Sequence, residues 1–407
     1  MVTPSHRTNI QKSLVDDEKF TTVDSLVDMS WYNAWLTQQL KNLPYCLRDL
    51  RVEGNLLLEK SCLAELFQAT QSVTQENEGI SIDEIVEYLQ ENGTLENMEE
   101  LLGPQRLLIF AVLGWQTMLY QPAFNVCSIQ QLAIHQDSSQ PQSGLIFDNY
   151  KVSADISDRP LWILLKAFGN ILPARSPGVA RASETSKVAS SWLPLYPMET
   201  NAYLLHNLLG VRIRWVDALA LHLDYDKSSR TLSLFSYPSF CLDMLLSDGL
   251  IYSFACSAQC GMDLRANRDD ISQLLREVLL SYRLLFGQSA KSRKLFRQIF
   301  KPSENHHVDS LLPLLCTKKR LPSGSTTIPA DRPVYFAARD FPILYARVEL
   351  IAKELKDSRP NSIGNLLRDR RDTLQFWTFW LVTVFGGISI ILSLMQVILQ
   401  AVQLMQG

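Results

Sequence analysis

Apolar residues along most of the chain recur with the three- and four-residue spacing of amphipathic α-helices. Trp31, Trp35, Leu36 and Leu40, for example, share one helical face, and Pro44 marks the end of that helix. Further segments with this spacing lie at 56–67, 95–102, 106–120, 268–286 and 344–355. The pattern therefore predicts a mainly α-helical protein.

Capping signals indicate where some of these helices begin and end. Ser81 and Glu84 form a capping box, and Gly93 is a typical helix stop. Asn267 precedes the segment 268–286, and Gly287 follows it. We expect the strongly apolar segment 106–120 to be a core helix, because it is too short and too interrupted to span a membrane comfortably. The helical unit that contains this segment either only forms part of the packed core or is a module that binds a partner.

One section alternates with a period of two instead. The run Leu219-Ala-Leu-His-Leu-Asp-Tyr225 is followed by the polar turn 226–230 and by a second alternating run that includes Leu232 and Leu234. This pattern predicts a β-hairpin. His222 and Asp224 share one face of its first strand, which suggests an acid–base pair or, as we expect, the solvent face of a half-buried strand.

The last 35 residues, 373–407, contain no charged residue. The segment 376–395 is 20 residues long, and its only polar residues are Thr378, Thr383, Ser389 and Ser393. A helix of that length spans about 30 Å, the thickness of the hydrocarbon core of a bilayer. The segment therefore predicts a single transmembrane helix, and the alternative is a buried core helix of a large soluble protein.

The flanks of this segment predict its orientation. The basic residues on its N-terminal side are Lys353, Lys356, Arg359, Arg368, Arg370 and Arg371. Trp377 and Trp380 lie at the boundary, where aromatic anchors are favoured, and the basic side is expected to be cytoplasmic. The N-terminus has no apolar run of the length that a signal peptide needs. We therefore expect a tail anchor in a membrane, with the bulk of the chain in the cytosol.

Small and polar residues follow one face of the predicted anchor. They are spaced alternately by three and four positions: Gly386, Ser389, Ser393, Gln396, Gln400, Gln403 and Gly407. Small residues let helices approach closely in lipid, and polar side chains there form interhelical hydrogen bonds. This transmembrane association face predicts a homo-oligomer or a partner helix. The alternative is that the glutamines simply leave the bilayer on its far side.

The fold class expected from these patterns is mainly α, with a small β-hairpin or α+β section and a single C-terminal transmembrane helix. We expect a disordered N-terminus at 1–22, a helical unit at 23–135, a mixed α/β section at 145–260, a helical section at 261–372 and the anchor at 373–407. A flexible loop is expected at 173–191, where Ser176 and Ser183 are either phosphorylation sites or ordinary exposed serines.

Composition and charge narrow the class of function. The 407 residues carry a net charge of −3, so no general electrostatic case exists for nucleic-acid binding. Seven scattered cysteines fit a reducing compartment better than a disulfide framework. The basic segment 291–301 suggests either an amphipathic helix that contacts anionic lipid or a solvated face. The cluster 318–320 resembles a nuclear-import signal only weakly.

The chain contains no phosphate loop, dinucleotide fingerprint, nucleophile elbow or HExxH motif. Cys256 and Cys260 lack the second pair that a zinc site requires. His306 and His307, near Asp309, are interpreted as solvated loop residues rather than metal ligands. We therefore predict no catalytic, cofactor-binding or metal-binding residue and no cofactor. The glycosylation sequon Asn92-Gly-Thr94 is expected to stay unmodified in a cytosolic domain and serves as a topology test.

Several stretches in the C-terminal half resemble a large group of uncharacterised filamentous-fungal proteins. They are WVDALALHL (215–223), LFSYPSFC (234–241), LLRE (274–277), SYRLLF (281–286) and LRDRRD (367–372) leading into FWTFW (376–380). The resemblance implies a cytosolic α-rich domain on a C-terminal membrane helix, with no established activity. It also implies an accessory gene-cluster protein with a role in colony-level traits or gene regulation.

The leading hypothesis is a tail-anchored, non-enzymatic protein whose cytosolic domain binds an unknown protein. A second hypothesis is a membrane-attached enzyme of unrecognised type, for which a pocket combining His206 or His222 with carboxylates would be required. A third is a nuclear or gene-regulatory factor that uses the basic segments 291–301 and 318–320, and the anchor and net charge argue against it.

Overall fold

The computed structural model describes residues 28–52, 54–56, 60–125, 128–135, 150–175, 193–255, 266–300, 308–318, 331–357 and 373–406. Within them the protein is mainly α-helical, with a small α+β section and one long apolar C-terminal helix, as the sequence predicts. The N-terminus 1–22, most of the loop 173–191, the serines 176 and 183, the cysteines 256 and 260 and the histidines 306 and 307 lie outside the described residues.

The N-terminal part contains α1 (Ser30–Lys41), α2 (Tyr45–Arg48), β1 (Arg51–Val52), β2 (Asn55–Leu56), α3 (Lys60–Glu76), α4 (Ile82–Glu91) and α5 (Leu102–Thr117). The middle part contains β3 (Gln131–Ala133), β4 (Lys151–Ser153), α6 (Leu161–Phe168), β5 (Pro194–Leu195), α7 (Ala202–Leu209), β6 (Arg212–Val216), β7 (Tyr225–Asp226), β8 (Thr231–Phe235) and α8 (Pro238–Ser247). The C-terminal part contains α9 (Arg268–Tyr282), α10 (Ala290–Ile299), α11 (Leu311–Thr317), β9 (Tyr335–Phe336), α12 (Ala337–Asp340), α13 (Tyr345–Asp357) and α14 (Thr373–Gln406).

The predicted capping signals are confirmed. The Ser81 hydroxyl accepts a hydrogen bond from the Glu84 amide at 3.2 Å, and the Glu84 carboxylate accepts one from the Ser81 amide at 2.7 Å. Asn267 and Asp270 form an equivalent box at the start of α9. These reciprocal bonds satisfy amides that have no partner within the helix, so they fix where α4 and α9 begin.

The predicted core helix 106–120 is also confirmed, although α5 begins four residues earlier and ends at Thr117. Its residues are buried on every side, which explains the nearly uniform apolar sequence. Tyr120 folds back after the helix and donates to the Phe110 carbonyl at 2.8 Å. Gly114 leaves room for this return, because a Cβ there would lie 2.8 Å from the Tyr120 ring.

The β-hairpin prediction is correct only in part. β7 pairs antiparallel with β8 across the predicted turn, and β8 also pairs in parallel with β6. The first strand is much shorter than predicted, however, because Leu219–Leu221 forms a 3₁₀ turn. The amides of Leu219 and Ala220 donate to carbonyls at the end of α5, so they are not available for a strand ladder.

The buried apolar residues of the folded part form one cluster that runs in sequence from Met29 to Leu355. Trp31 illustrates how distant sections meet in it. Its ring stacks on Tyr237 at 3.9 Å between centroids, and its indole N–H donates to Ser239 at 2.9 Å. The residues of the predicted helical and mixed sections therefore share a core, and the section boundaries themselves stay a prediction.

Candidate functional site

α14 differs from every helix described above in its surroundings. The window Trp380–Ala401 is 22 residues long, is apolar enough to cross a membrane, and none of it is buried inside the structure. A core helix of a soluble protein would be covered by the rest of its chain, and the described residues do not cover this one. By length and composition, α14 can therefore cross a bilayer.

The predicted transmembrane association face lies within this helix and is exposed. At about 100° per residue, the positions from 386 to 403 fall within an arc of roughly 100° on the helix surface. Among the described residues, no side chain lies within 4 Å of the position that a Cβ on Gly386 would occupy. The residues of the face are Gly386, Ser389, Ser393, Gln396, Gln400 and Gln403. Their role in association stays a prediction.

Replacing Ser389, Ser393 and Gln396 together with leucine is expected to abolish association of α14 in a membrane two-hybrid assay. The change removes close approach at the serines and the interhelical hydrogen bonds, each of which contributes about 0.6–2 kcal/mol.

The matched control replaces Ile391, Met395 and Ile398, on the opposite side of the helix, with leucine and should leave association intact. Association of the first variant at the wild-type level would exclude the proposed face.

His222 and Asp224 do not lie on a solvent face, so that expectation was wrong. The His222 side chain is completely buried and Asp224 is 4% exposed. The segment that contains them packs between the end of α5 and β8, so both sets of alternating side chains are enclosed. Alternation marks a half-exposed strand only where one side faces water.

The buried imidazole has internal partners on both ring nitrogens. The Phe235 amide donates to His222 Nδ1 at 3.2 Å, so the proton lies on Nε2 and is donated to the Ser281 hydroxyl at 2.8 Å. Burial lowers the pKa of His222 to about 3, and the charge of Arg347 acts in the same direction. His222 is therefore a neutral core residue with no nitrogen left for a substrate.

Glu277 joins α9 to the start of α13 through a buried carboxylate. Its Oε1 accepts hydrogen bonds from the Ile343 amide at 3.0 Å and from Gln273 at 3.1 Å, and its Oε2 accepts one from the Leu344 amide at 2.7 Å. Burial raises the pKa of Glu277 to about 8, against these donors, which favour the ionised form. The carboxyl group thus serves as a tertiary cap for α13.

Arg347, in the first turn of α13, adds a positive charge beside this cap. Its guanidinium donates to the His222 carbonyl at 2.5 Å, and the carboxylates of Asp224 and Glu277 stabilise its charge. Burial lowers the pKa of Arg347 to about 10 and raises that of Asp224. Together these groups hold α13 to the β section and to α9.

A second buried cation lies after α9, in a single π-helical turn at Arg283–Gly287. Arg283 is completely buried and forms a two-pronged pair with Asp331 at 2.8 and 2.6 Å. It also donates to the carbonyls of Leu315 and Lys318 at 2.6 and 2.8 Å. Gly287 makes room for it, because a Cβ there would lie 2.3 Å from the guanidinium.

Asp309 lies in the loop before α11, as expected, but its side chain is buried rather than solvated. Its carboxylate accepts from the Ser239 amide in α8 and from the Leu311 amide in α11, each at 2.7 Å. Burial raises the pKa of Asp309 to about 6. Among the described residues, no group of three His, Cys, Asp or Glu side chains could hold a metal ion.

The other histidine considered as a catalytic candidate does not join His222 in a site. His206 lies at the end of α7, and its Nδ1 pairs with the Val211 carbonyl at 3.0 Å. That bond closes the turn between α7 and β6.

Sequence reasoning did not single out Glu277, Arg283 or Asp309 as structural centres. A signal does exist for Arg283, which is the only charged residue in the otherwise apolar run 278–286. Comparison of the chain with protein-family models, with curated proteins and with solved structures finds no match.

Proposed function

We propose that this protein is a single-pass, tail-anchored membrane protein whose α-rich folded part lies in the cytosol and binds another protein. The observation that carries the proposal is α14, which is charge-free, long enough to span and uncovered by the described fold. The resemblance to filamentous-fungal proteins implies the same arrangement and is part of the proposal.

The proposed orientation rests on charge. Lys353 and Lys356 lie in α13, and three arginines follow at 368–371, all on the N-terminal side of α14. Basic residues close to a span are retained on the cytoplasmic side. The folded part precedes α14 in the chain, so it lies on that same side.

The proposed binding role rests on where the perturbed ionisable groups lie. His222, Glu277 and Asp309 have strongly shifted pKa values, but each is buried and bonded to the protein's own backbone or side chains. Groups arranged in this way stabilise the fold rather than meet a substrate. This supports an interaction surface over a catalytic site built on these residues.

Removing residues 373–407 is expected to move the protein from the membrane fraction to the soluble fraction. The full chain should remain with membranes after alkaline carbonate extraction, because α14 is held by the hydrophobic effect rather than by charge. Recovery of the full chain in the soluble fraction would exclude the anchor. Proximity labelling with both forms then identifies partners that require the membrane.

Glycosylation of Asn92 in the same cells reports on which side of the membrane the folded part lies. It is exposed just after α4, so an oligosaccharide transferase would reach it in a lumenal domain. The native chain should stay unglycosylated, whereas a control with an added N-terminal signal peptide should gain a glycan at Asn92. Glycosylation of the native chain would exclude a cytosolic folded part.

A further inference from the structure

α10 presents two different sides, and the fold covers most of its apolar side. Phe296 packs edge-on against Trp215 at 5.8 Å and against Phe286 at 5.5 Å between ring centroids. Leu295 is buried beside them. This helix therefore cannot insert an apolar face into a bilayer, which removes the simplest way for an amphipathic helix to bind lipid.

The opposite side of α10 is basic and exposed. Lys291, Lys294 and Arg297 follow one another at three-residue steps, and all three are exposed. The sequence of α10 contains no acidic residue. Lys291 lies over the ring of Tyr203, and in the part of the chain that the structure describes no acidic side chain pairs with Lys294 or Arg297.

The fold holds this basic side in a fixed position. Ser289 caps the helix through the Ser292 amide, and the Ser292 hydroxyl donates to Asn201 at 3.1 Å. Arg293, at the edge between the two sides, donates to the Gly287 carbonyl at 2.7 Å. The charges are therefore presented on a rigid surface that needs no folding step to bind.

We propose that the basic side of α10 docks on anionic phospholipid headgroups of the membrane that holds α14. The proposal rests on the proposed membrane anchoring. Between α13 and α14 lie the 15 residues 358–372, and an extended chain of that length reaches at most ~50 Å. This linker keeps the end of α13 close to the membrane surface, where anionic phospholipid headgroups offer the basic side of α10 a negatively charged partner.

Because the apolar side of α10 is buried, α10 contacts the membrane through its charged side. Docking is electrostatic and involves headgroups only, so it weakens as ionic strength rises. Each basic residue near an anionic membrane surface strengthens binding about fivefold, so three of them raise the ratio of docked to undocked molecules roughly a hundredfold.

Energy transfer in nanodiscs tests the docking with the full chain. A fluorophore is introduced through a non-natural amino acid at Gln298, which is exposed beside Lys291 and Lys294, and acceptor-labelled lipid is placed in the disc. Transfer should be stronger in discs of phosphatidylcholine with phosphatidylserine than in phosphatidylcholine alone. High salt should remove the difference.

The charge variant Lys291→Gln, Lys294→Gln, Arg297→Gln should lose the difference between the two discs. The matched variant Lys41→Gln, Arg51→Gln, Arg159→Gln changes net charge equally at exposed sites elsewhere and should keep it. Equal transfer in both discs for the wild-type chain would overturn docking and leave the anchor intact. A chain that does not co-purify with the discs would instead overturn the anchor.

A photo-crosslinker at Gln298 in cells identifies the surface that α10 meets. Adducts with anionic lipid support the proposal. Adducts with nucleic acid or with a protein, in place of lipid, would overturn it.

Discussion

Replacing Arg283 with methionine is expected to lower the free energy of unfolding by about 2–3 kcal/mol, because the hydrogen bonds of a buried charged donor are lost and the buried Leu315 carbonyl is left unpaired. The change leaves the Asp331 carboxylate and the carbonyls of Leu315 and Lys318 without their donor. Methionine fills similar volume, so the loss reports the polar contacts rather than a cavity. Denaturant titration of the full chain in detergent micelles measures it.

Two further variants separate charge from geometry at this position. Arg283→Lys keeps the charge but lacks the planar fork that serves four acceptors, so it should recover only a minor part of the loss. Arg297→Met, on the exposed side of α10, is the matched control and should change stability by less than about 0.5 kcal/mol. Equal stability of Arg283→Met and Arg297→Met would contradict the importance of the buried Arg283 guanidinium.

Glu277→Gln is expected to flatten the dependence of stability on pH between 6.5 and 8. The pKa of Glu277 is about 8 in the folded chain and has its ordinary value of 4.5 when unfolded. Between these values the folded state holds a proton that the unfolded state has released. Its contribution is therefore complete below pH 4.5 and is lost as the pH rises towards 8, by about 1.4 kcal/mol per unit.

Comparison of the wild-type chain with Glu277→Gln above pH 6.5 separates this carboxyl from its neighbours. His222 is neutral in the folded state, where its pKa is about 3, whereas the unfolded form with its pKa of 6.5 still loses a proton in the lower part of this window. That opposing slope is the same in the wild-type chain and in Glu277→Gln, so it cancels when the two are compared. Asp309, with a folded pKa of about 6, is mostly ionised in both states. Arg347, which faces Glu277, stays charged because its pKa is about 10.

Urea midpoints at several pH values between 6.5 and 8 make the comparison. The wild-type chain should lose stability across this range, and Glu87→Gln, at an exposed position on α4, should lose it in parallel. If stability depended on pH in the same way for the wild-type chain and for Glu277→Gln, Glu277 would be ionised throughout this pH range and the prediction would be wrong.

Features that depend only on residues close by in the chain can be predicted from the sequence. The capping box at Ser81 and Glu84 is local chemistry, and the helix forms where that chemistry predicts. The spanning length of α14 depends on composition alone. Both could be predicted because no distant contact is needed to decide them.

Features that depend on distant contacts were missed or misinterpreted. Whether the alternating residues around His222 face water depends on α5, more than 100 residues earlier in the sequence. Glu277 meets its amide partners 66 and 67 residues later, at the start of α13. Sequence periodicity shows which residues share one side of a helix or strand. Which part of the chain covers that side is decided by the tertiary fold.

The length of α14 sets the bilayer thickness that the proposed anchor would match. Its 34 residues extend about 51 Å as a helix, whereas the apolar window Trp380–Ala401 extends about 33 Å. That window matches a bilayer of ordinary or slightly greater thickness with little tilt, and a thinner bilayer requires tilting. For the proposed anchor, hydrophobic mismatch would thus favour thicker membranes over thin ones, so bilayer thickness itself would contribute to its sorting among organelles.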